Sequence, residues 1–112
     1  MRIAVPLTQG KLSLHFGHSD QFAIVDIDDN INKVINRKDA TPPAHAPGVL
    51  PKWLHENNVS VIIASGMGRR ARQLFDQNDI KVVVGASDDS PEDLVSAYLE
   101  NELEIGENIC DH

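Results

Sequence analysis

The chain has 112 residues, 41% of them hydrophobic, which suits one domain with its own core over residues 1–112. Its formal net charge of −7 argues against nucleic-acid or anionic-membrane binding, because both depend on clustered Lys and Arg. The single cysteine, Cys110, excludes an internal disulfide, and the apolar N-terminus is too short for a signal peptide or membrane span, so we expect a reducing, cytoplasmic setting.

The first third of the chain predicts a strand, an irregular loop and a β-hairpin. Residues 2–6 form a short apolar run that indicates a strand, and residues 8–20 lose all periodicity. Residues 21–28 place apolar side chains on both faces, which is typical of a covered strand. After turn residues at 28–30, the more polar segment 31–38 is expected to pair with it at a sheet edge.

A loop and a helix are expected next. Four prolines fall within residues 40–51, a composition that cannot extend a helix or a central strand and therefore predicts a Pro-rich loop. A helix is expected over residues 48–57, where Pro51 is tolerable in the first turn and Trp53 lies on the apolar, core-facing side.

The second half predicts a parallel crossover and a final helix. The apolar run 59–64 indicates a buried strand, a helix follows to about residue 78, and residues 80–84 form a second β-branched strand. Ser90 is expected to cap a last helix, with Pro91 at its first position. Residues 102–112 form a short acidic tail.

The most informative stretch lies between the buried strand and the helix that follows it, and we call residues 65–68 the glycine turn. Gly66 and Gly68 expose the backbone, and the first N–H groups of a helix have no internal partner, so the turn can bind an anion beside Arg69 and Arg70. Alternatively, the glycines only make a sharp turn and the arginines lie in water, since the full dinucleotide fingerprint is absent. Met67 either covers a ligand with its thioether or packs in the core.

Several histidines and the cysteine are candidate metal ligands. Imidazole and thiolate suit zinc, copper or iron, although a lone loop histidine is more often solvated and a chain end can simply fray. One cysteine cannot supply the four thiolates of an ordinary iron-sulfur site, so a cluster would be held mostly by shape, hydrogen bonds and charge. These candidates are His15, His18, His45, Cys110 and His112.

Catalytic motifs are missing from the sequence. Ser65 lacks the G-x-S-x-G context of a nucleophile turn. Asp26 and Asp28 can share one side of a strand, as the carboxylates of a two-metal nuclease do, but the first strand carries no acid. We therefore predict no catalytic residues and a protein that is not an enzyme.

Four stretches, in order, resemble signatures of one family: the small proteins grouped with nitrogenase iron-molybdenum cofactor biosynthesis. Relatives include NifX-like and NafY-like carriers, the C-terminal domain of NifB and the orange proteins of sulfate reducers. The stretches are residues 13–22, 46–54, 64–71 together with 80–86, and 108–112. The resemblance implies a ribonuclease-H-like, three-layer α/β/α fold with a five-stranded mixed sheet and no nuclease activity.

The resemblance also implies non-catalytic binding, carriage or storage of an anionic metal-sulfur cluster, including in anaerobes that do not fix nitrogen. The cluster would be iron-molybdenum-cofactor-like, iron-sulfur or, as in orange proteins, molybdenum-copper-sulfide, bound non-covalently or by few metal bonds. One departure is Ser65, where many relatives have a further glycine. The expected cofactor-binding residues are Ser65, Gly66, Met67, Gly68, Arg69 and His45, and the expected metal ligands are His15, His18, Cys110 and His112.

Two other functions stay open from the sequence. A regulatory or interaction domain would bind no metal and would dock onto a cofactor-assembly or ATP-dependent partner. The Pro-rich loop and the acidic tail support this hypothesis. A simple zinc protein would use His15, His18 and Cys110. In each case we expect a monomer or a weak homodimer.

Overall fold

A computed structural model describes residues 1–14, 16, 19–44, 46, 48–86 and 90–100. Within these residues the chain forms an α/β fold with six strands and three helices. The strands are β1 (Arg2–Thr8), β2 (Lys11–Leu12), β3 (Gln21–Asp28), β4 (Lys33–Ala40), β5 (Val59–Ile63) and β6 (Lys81–Val83). The helices are α1 (Val49–Glu56), α2 (Arg69–Gln77) and α3 (Pro91–Leu99).

The strands form one mixed sheet in the order β4-β3-β1-β5-β6. β5 runs parallel to both of its neighbours, β1 and β6, whereas β3 is antiparallel to β1 and β4. The predicted count of five strands is not confirmed, because Lys11 and Leu12 fold back on Thr8 and Leu7 as a sixth strand, β2. A strand of two residues is too short to show alternation in the sequence.

Helices cover both faces of the sheet, which gives three layers. On one face, alternate residues of β1 such as Ile3 and Val5 pack with Leu94 of α3. On the other face, Leu54 of α1 and Phe75 of α2 pack over a second cluster that includes strand residues Ala4, Phe22 and Ile62. Apolar residues on both faces of β1, β3 and β5 therefore explain why these strands show near-continuous hydrophobic runs.

Most predicted elements are present, with shifted ends. The strand over residues 21–28 has the expected limits, and β4 is an edge strand as predicted. β4 begins two residues later than expected because the preceding turn continues through Asn32, which has a φ of 55°. Ser90 caps α3 as predicted, since its hydroxyl accepts a hydrogen bond from the N–H of Asp93 at 3.2 Å.

Trp53 packs beside the core and not fully within it. The residue is half-buried, and its ring meets that of Phe22 edge-on with centroids 5.7 Å apart. Among the described residues, no helix is both long enough and apolar enough to cross a membrane. The acidic tail, residues 102–112, lies outside the described residues.

An ion pair between β1 and β3 gives the fold a predictable pH dependence. Arg2 donates from Nε to Asp26 and from Nη1 to the carbonyl of Asn57 at 2.8 Å. The hydrogen bond from Arg2 lowers the pKa of the Asp26 carboxyl below its ordinary value. A lowered folded-state pKa stabilises the fold above the unfolded-state pKa, and that stabilisation is lost as the pH falls through the folded-state pKa.

We therefore expect Asp26→Asn to reduce the free energy of unfolding by about 1 kcal/mol at neutral pH, and by little at about pH 2 to 3. Urea unfolding at both pH values measures the difference. Asp76→Asn is the matched control, because Asp76 is exposed on α2 and takes part in no ion pair between described residues. An equal loss at both pH values would show that the carboxylate charge of Asp26 does not stabilise the fold.

Candidate functional site

The glycine turn lies at a topological switch point of the sheet. Because β1, β5 and β6 are parallel, their carboxyl ends meet at one edge. From β1 the chain continues towards β3, whereas from β5 it continues through α2 to β6 on the other side. Open α/β sheets bind ligands in the crevice that such diverging connections create.

Burial differs sharply along the glycine turn. Ser65 is 8% exposed and Met67 is fully buried, whereas Arg69 and Arg70 are exposed. The Met67 side chain belongs to the core cluster that contains Phe75, so it packs in the protein interior and does not cover a surface ligand. Gly66 is buried as well, so residues 65–67 do not present the exposed backbone that the sequence led us to expect, and the more exposed part of the turn begins at the half-buried Gly68.

Two loops fix the carbonyl groups of the glycine turn. The N–H of Gly85, which follows β6, donates to the carbonyl of Ser65 at 3.0 Å. The N–H of Phe16, from the loop between β2 and β3, donates to the carbonyl of Gly66 at 3.3 Å. The segment between the predicted ligands His15 and His18 therefore contacts the predicted anion site through Phe16.

Phe16 is itself held firmly. Its ring packs edge-on against Phe22 and Phe75, with centroid distances of 5.9 and 5.3 Å. Its carbonyl accepts hydrogen bonds from the N–H and the hydroxyl of Ser19, at 3.2 and 2.8 Å. The Thr8 hydroxyl donates to that of the buried Ser13 at 2.9 Å, so a polar contact also fixes the start of this loop.

Helix α2 begins without a side-chain cap. Its N-cap, Gly68, provides no side-chain hydrogen bond, and the first turn contains no acid. Among the described residues, no hydrogen bond uses the N–H of Arg69, Arg70 or Ala71 as donor. Helix α3 differs, since Ser90 caps it and its first turn is acidic.

The fold does not require α2 to begin without a capping side chain. Gly68 has φ −67° and ψ 158°, which any residue can adopt, and a Cβ atom there would meet nothing within 4 Å. A capping Ser or Asp would therefore fit. The cations Arg69 and Arg70 moreover oppose the helix macrodipole, at a cost of about 0.3–1 kcal/mol each. This terminus is more positive than folding favours, and such departures mark functional sites.

Arg69 also borders an open groove of about 800 Å³ between α2 and β6. Both positively and negatively charged side chains line the groove. Arg69, the first residue of α2, is one of them. Neither Arg69 nor Arg70 forms an ion pair with another described residue. The groove is lined by Arg69, Arg72, Gln73, Asp76, Asp79, Ile80, Lys81 and Val82.

The predicted ligands His15, His18, His45, Cys110 and His112 lie outside the described residues. Within the part of the chain that is described, no group of three or more His, Cys, Asp and Glu residues could hold a metal ion. The sequence analysis missed Phe16 and Gly85 as parts of the site. Gly85 carried a signal, because a glycine just after the predicted strand over residues 80–84 can adopt positive φ, and its φ is 86°.

Comparison with known proteins agrees with this architecture. Residues 1–101 match the family described as dinitrogenase iron-molybdenum cofactor. An uncharacterized protein of Methanocaldococcus jannaschii is 34% identical over 107 residues, which cover 93% of this chain and 90% of that protein.

Solved structures share the fold. The crystal structure of PH0822 superposes with a TM-score of 0.83 at 32% identity, covering 95% of this chain and 96% of that one. The apo form of the orange protein from Desulfovibrio gigas gives 0.69 at 19% identity, covering 96% and 93%, which shows a common fold alone. By its match over residues 1–101, the chain belongs to the dinitrogenase iron-molybdenum cofactor family.

Proposed function

We propose that this protein binds, carries or stores an anionic metal-sulfur cluster and catalyses no reaction. The observation that carries the proposal is the start of α2: an uncapped helix terminus with two exposed arginines at the switch point of the sheet. The family's link to the iron-molybdenum cofactor supports the same chemistry. An iron-molybdenum-cofactor-like, an iron-sulfur and a molybdenum-copper-sulfide cluster all present the sulfide anions that this chemistry requires.

The proposed binding energy comes from local positive charge on an acidic protein. The N–H groups of Gly68, Arg69 and Arg70 belong to the positive end of the α2 dipole, where anions bind most favourably. Guanidinium groups are weakly hydrated and planar, so they lose less than ammonium groups on contacting a large, soft anion. The hydroxyl of Ser65 makes no hydrogen bond to a described residue and can donate to the same guest.

Metal bonds are the second part of the proposal. The hydrogen bond from Phe16 to Gly66 supports His15 and His18 as ligands, because these histidines flank Phe16 closely in sequence. His45, Cys110 and His112 rest on the resemblance and on their ligand chemistry. We also propose a cytoplasmic setting, a ribonuclease-H-like fold and a cluster-assembly or ATPase partner. The three-layer mixed sheet supports the fold, and membership of the family supports the partner.

Anaerobic reconstitution tests the function. The protein is mixed with tetrathiomolybdate and copper(I), or with a preformed iron-sulfur cluster, and passed through gel filtration while visible absorption is recorded. We expect a coloured protein with about one cluster per chain, whereas after gel filtration with molybdate, which lacks sulfide, metal analysis should find no molybdenum on the protein. Protein that stays colourless with every cluster, yet captures one cofactor-assembly protein, would replace the proposal with the metal-free interaction domain. Stoichiometric zinc in the isolated protein would favour the zinc alternative.

A further inference from the structure

Strand β4 leaves one edge of the sheet uncovered. Within the described residues it pairs with β3 alone, so the backbone groups on its outer side have no strand partner there. Ile35 of β4 is 63% exposed, and Ile31, in the turn before β4, is 60% exposed. An exposed edge of eight residues that also carries apolar side chains can pair with a further strand.

The charges on this edge favour an acidic occupant. β4 carries three cations and one acid. Arg37 is already paired, with Asp39 and with Glu92 of α3. Lys33 and Lys38 are exposed and form no ion pair with another described residue. A second copy paired through β4 would set one cationic strand against another, which is unfavourable, whereas an acidic segment would be attracted.

Helix α3 brings the chain to the beginning of this edge. It runs alongside β4 in the opposite direction, since Glu92 in its first turn pairs with Arg37 in the second half of β4. At the other end of the helix, the side chain of Asn32 donates to the carbonyl of Leu99 at 3.0 Å. Asn32 directly precedes β4, so the chain leaves α3 next to the first residue of the strand.

The acidic tail, residues 102–112, has the composition and the length to occupy the edge. It contains four acids and neither Lys nor Arg, and residues 102–105 read Glu-Leu-Glu-Ile, an alternation typical of a strand with one covered face. The extended tail spans about 36 Å, whereas β4 is about 26 Å long.

We propose that the acidic tail docks along the outer edge of β4 as an additional strand parallel to it. The acids of the tail then lie near Lys33 and Lys38, and its apolar residues reduce the exposure of Ile35. The inference is independent of the proposed function.

The topology of the sheet permits this strand. β4 runs in the same direction as β6, because β3 is antiparallel to both β1 and β4 while β1, β5 and β6 are parallel. α2 packs on one face of the sheet and α3 on the other. A return from β6 over α3 to the β4 edge therefore has the same hand as the connection from β5 over α2 to β6, since the face and the direction across the sheet are both reversed. Parallel connections are almost always right-handed, and this arrangement keeps one hand throughout.

Cys110 makes a direct test possible, because it is the single cysteine of the chain. A nitroxide attached to it weakens the amide NMR signals of nearby residues in the otherwise unchanged protein. If Glu102 lies beside Lys33, the parallel strand brings Cys110 level with residue 41, just beyond the end of β4. We expect residues 38–41 to lose most of their signal intensity relative to the same sample after reduction of the nitroxide, and β6, at the opposite edge, to lose none.

Charge reversal in the tail separates docking from chance proximity. Glu102→Lys/Glu104→Lys should restore the signals of residues 38–41, because the reversed charges repel β4. Glu56→Lys/Asp76→Lys makes the same change in net charge at exposed positions of α1 and α2, and should leave the loss of intensity as in the wild type.

A mixed sample tests for a second copy as the occupant. It combines isotope-labelled protein without the nitroxide and unlabelled protein that carries it, so only contacts between chains weaken signals. We expect no loss in this sample. Undiminished β4 signals in the singly labelled protein, equal losses on β4 and β6, a loss that persists in Glu102→Lys/Glu104→Lys, or an equal loss in the mixed sample would each overturn the inference.

Discussion

Gly68→Asp is expected to stabilise the ligand-free protein while weakening its binding of anionic clusters by about 30-fold or more. An aspartate at the N-cap accepts hydrogen bonds from the first-turn N–H groups and complements the helix dipole, which together contribute about 0.5–1 kcal/mol. The same carboxylate occupies the donors that the cluster needs and repels its negative charge. The backbone at Gly68 and the open space beside it admit the side chain.

Thermal unfolding and an anaerobic titration with tetrathiomolybdate and copper(I) measure the two effects. Gln77→Glu is the control for charge, since Gln77 is exposed at the far end of α2 and does not line the groove beside Arg69. Gly68→Ser separates capping from charge, and it should give a smaller gain in stability and a smaller loss of affinity. Wild-type cluster affinity in Gly68→Asp would exclude the start of α2 from the site.

Reversing both charges at the start of α2 is expected to have the largest effect on binding. The double variant Arg69→Glu/Arg70→Glu should lose cluster affinity by more than about 100-fold, because it replaces two attractive charges with two repulsive ones at close range. In the absence of a ligand the variant should be more stable than the wild type, since acids suit the N-terminus of a helix. Loss of binding together with a gain in stability is the signature of a functional site.

The matched control is Lys33→Glu/Lys38→Glu, which makes the same change in net charge on the edge strand β4. Both lysines are exposed, so any effect of overall charge appears equally in the control. Wild-type affinity should also fall as the ionic strength rises from about 0.01 M to about 0.15 M, where the screening length shortens from about 30 to about 8 Å. Equal losses of affinity in the two double variants would mean that overall charge, and not Arg69 and Arg70, governs binding.

Local signals explain what the sequence could predict. The capping of α3 depends on Ser90 and its immediate neighbours, and the run over residues 21–28 is apolar on both faces, so both features follow from short-range rules. The turn between β5 and α2 was also visible, because two glycines interrupt an apolar run. Such elements depend little on the rest of the fold.

Long-range contacts explain what the sequence could not predict. Phe16 and Gly85 donate hydrogen bonds to the glycine turn, although both are distant from it in the chain. The spacing of hydrophobic residues in a sequence does not predict contacts of this kind. Met67 stayed ambiguous for a similar reason, since its burial depends on how Phe75 and β1 pack around it. The side chain at the centre of the turn is therefore part of the core, and the candidate site consists of the backbone at the start of α2 and the exposed side chains of Arg69 and Arg70.

The most direct test of the central claim is an amide NMR titration of the wild-type protein with a copper(I)-thiomolybdate cluster under nitrogen. Both metals are diamagnetic in this cluster, so shifts report contact without paramagnetic broadening. If the start of α2 receives the cluster, the largest shifts fall on residues 66–71 and saturate at about one cluster per chain. Saturable binding that leaves those amides unchanged, or no binding at all, would contradict the claim.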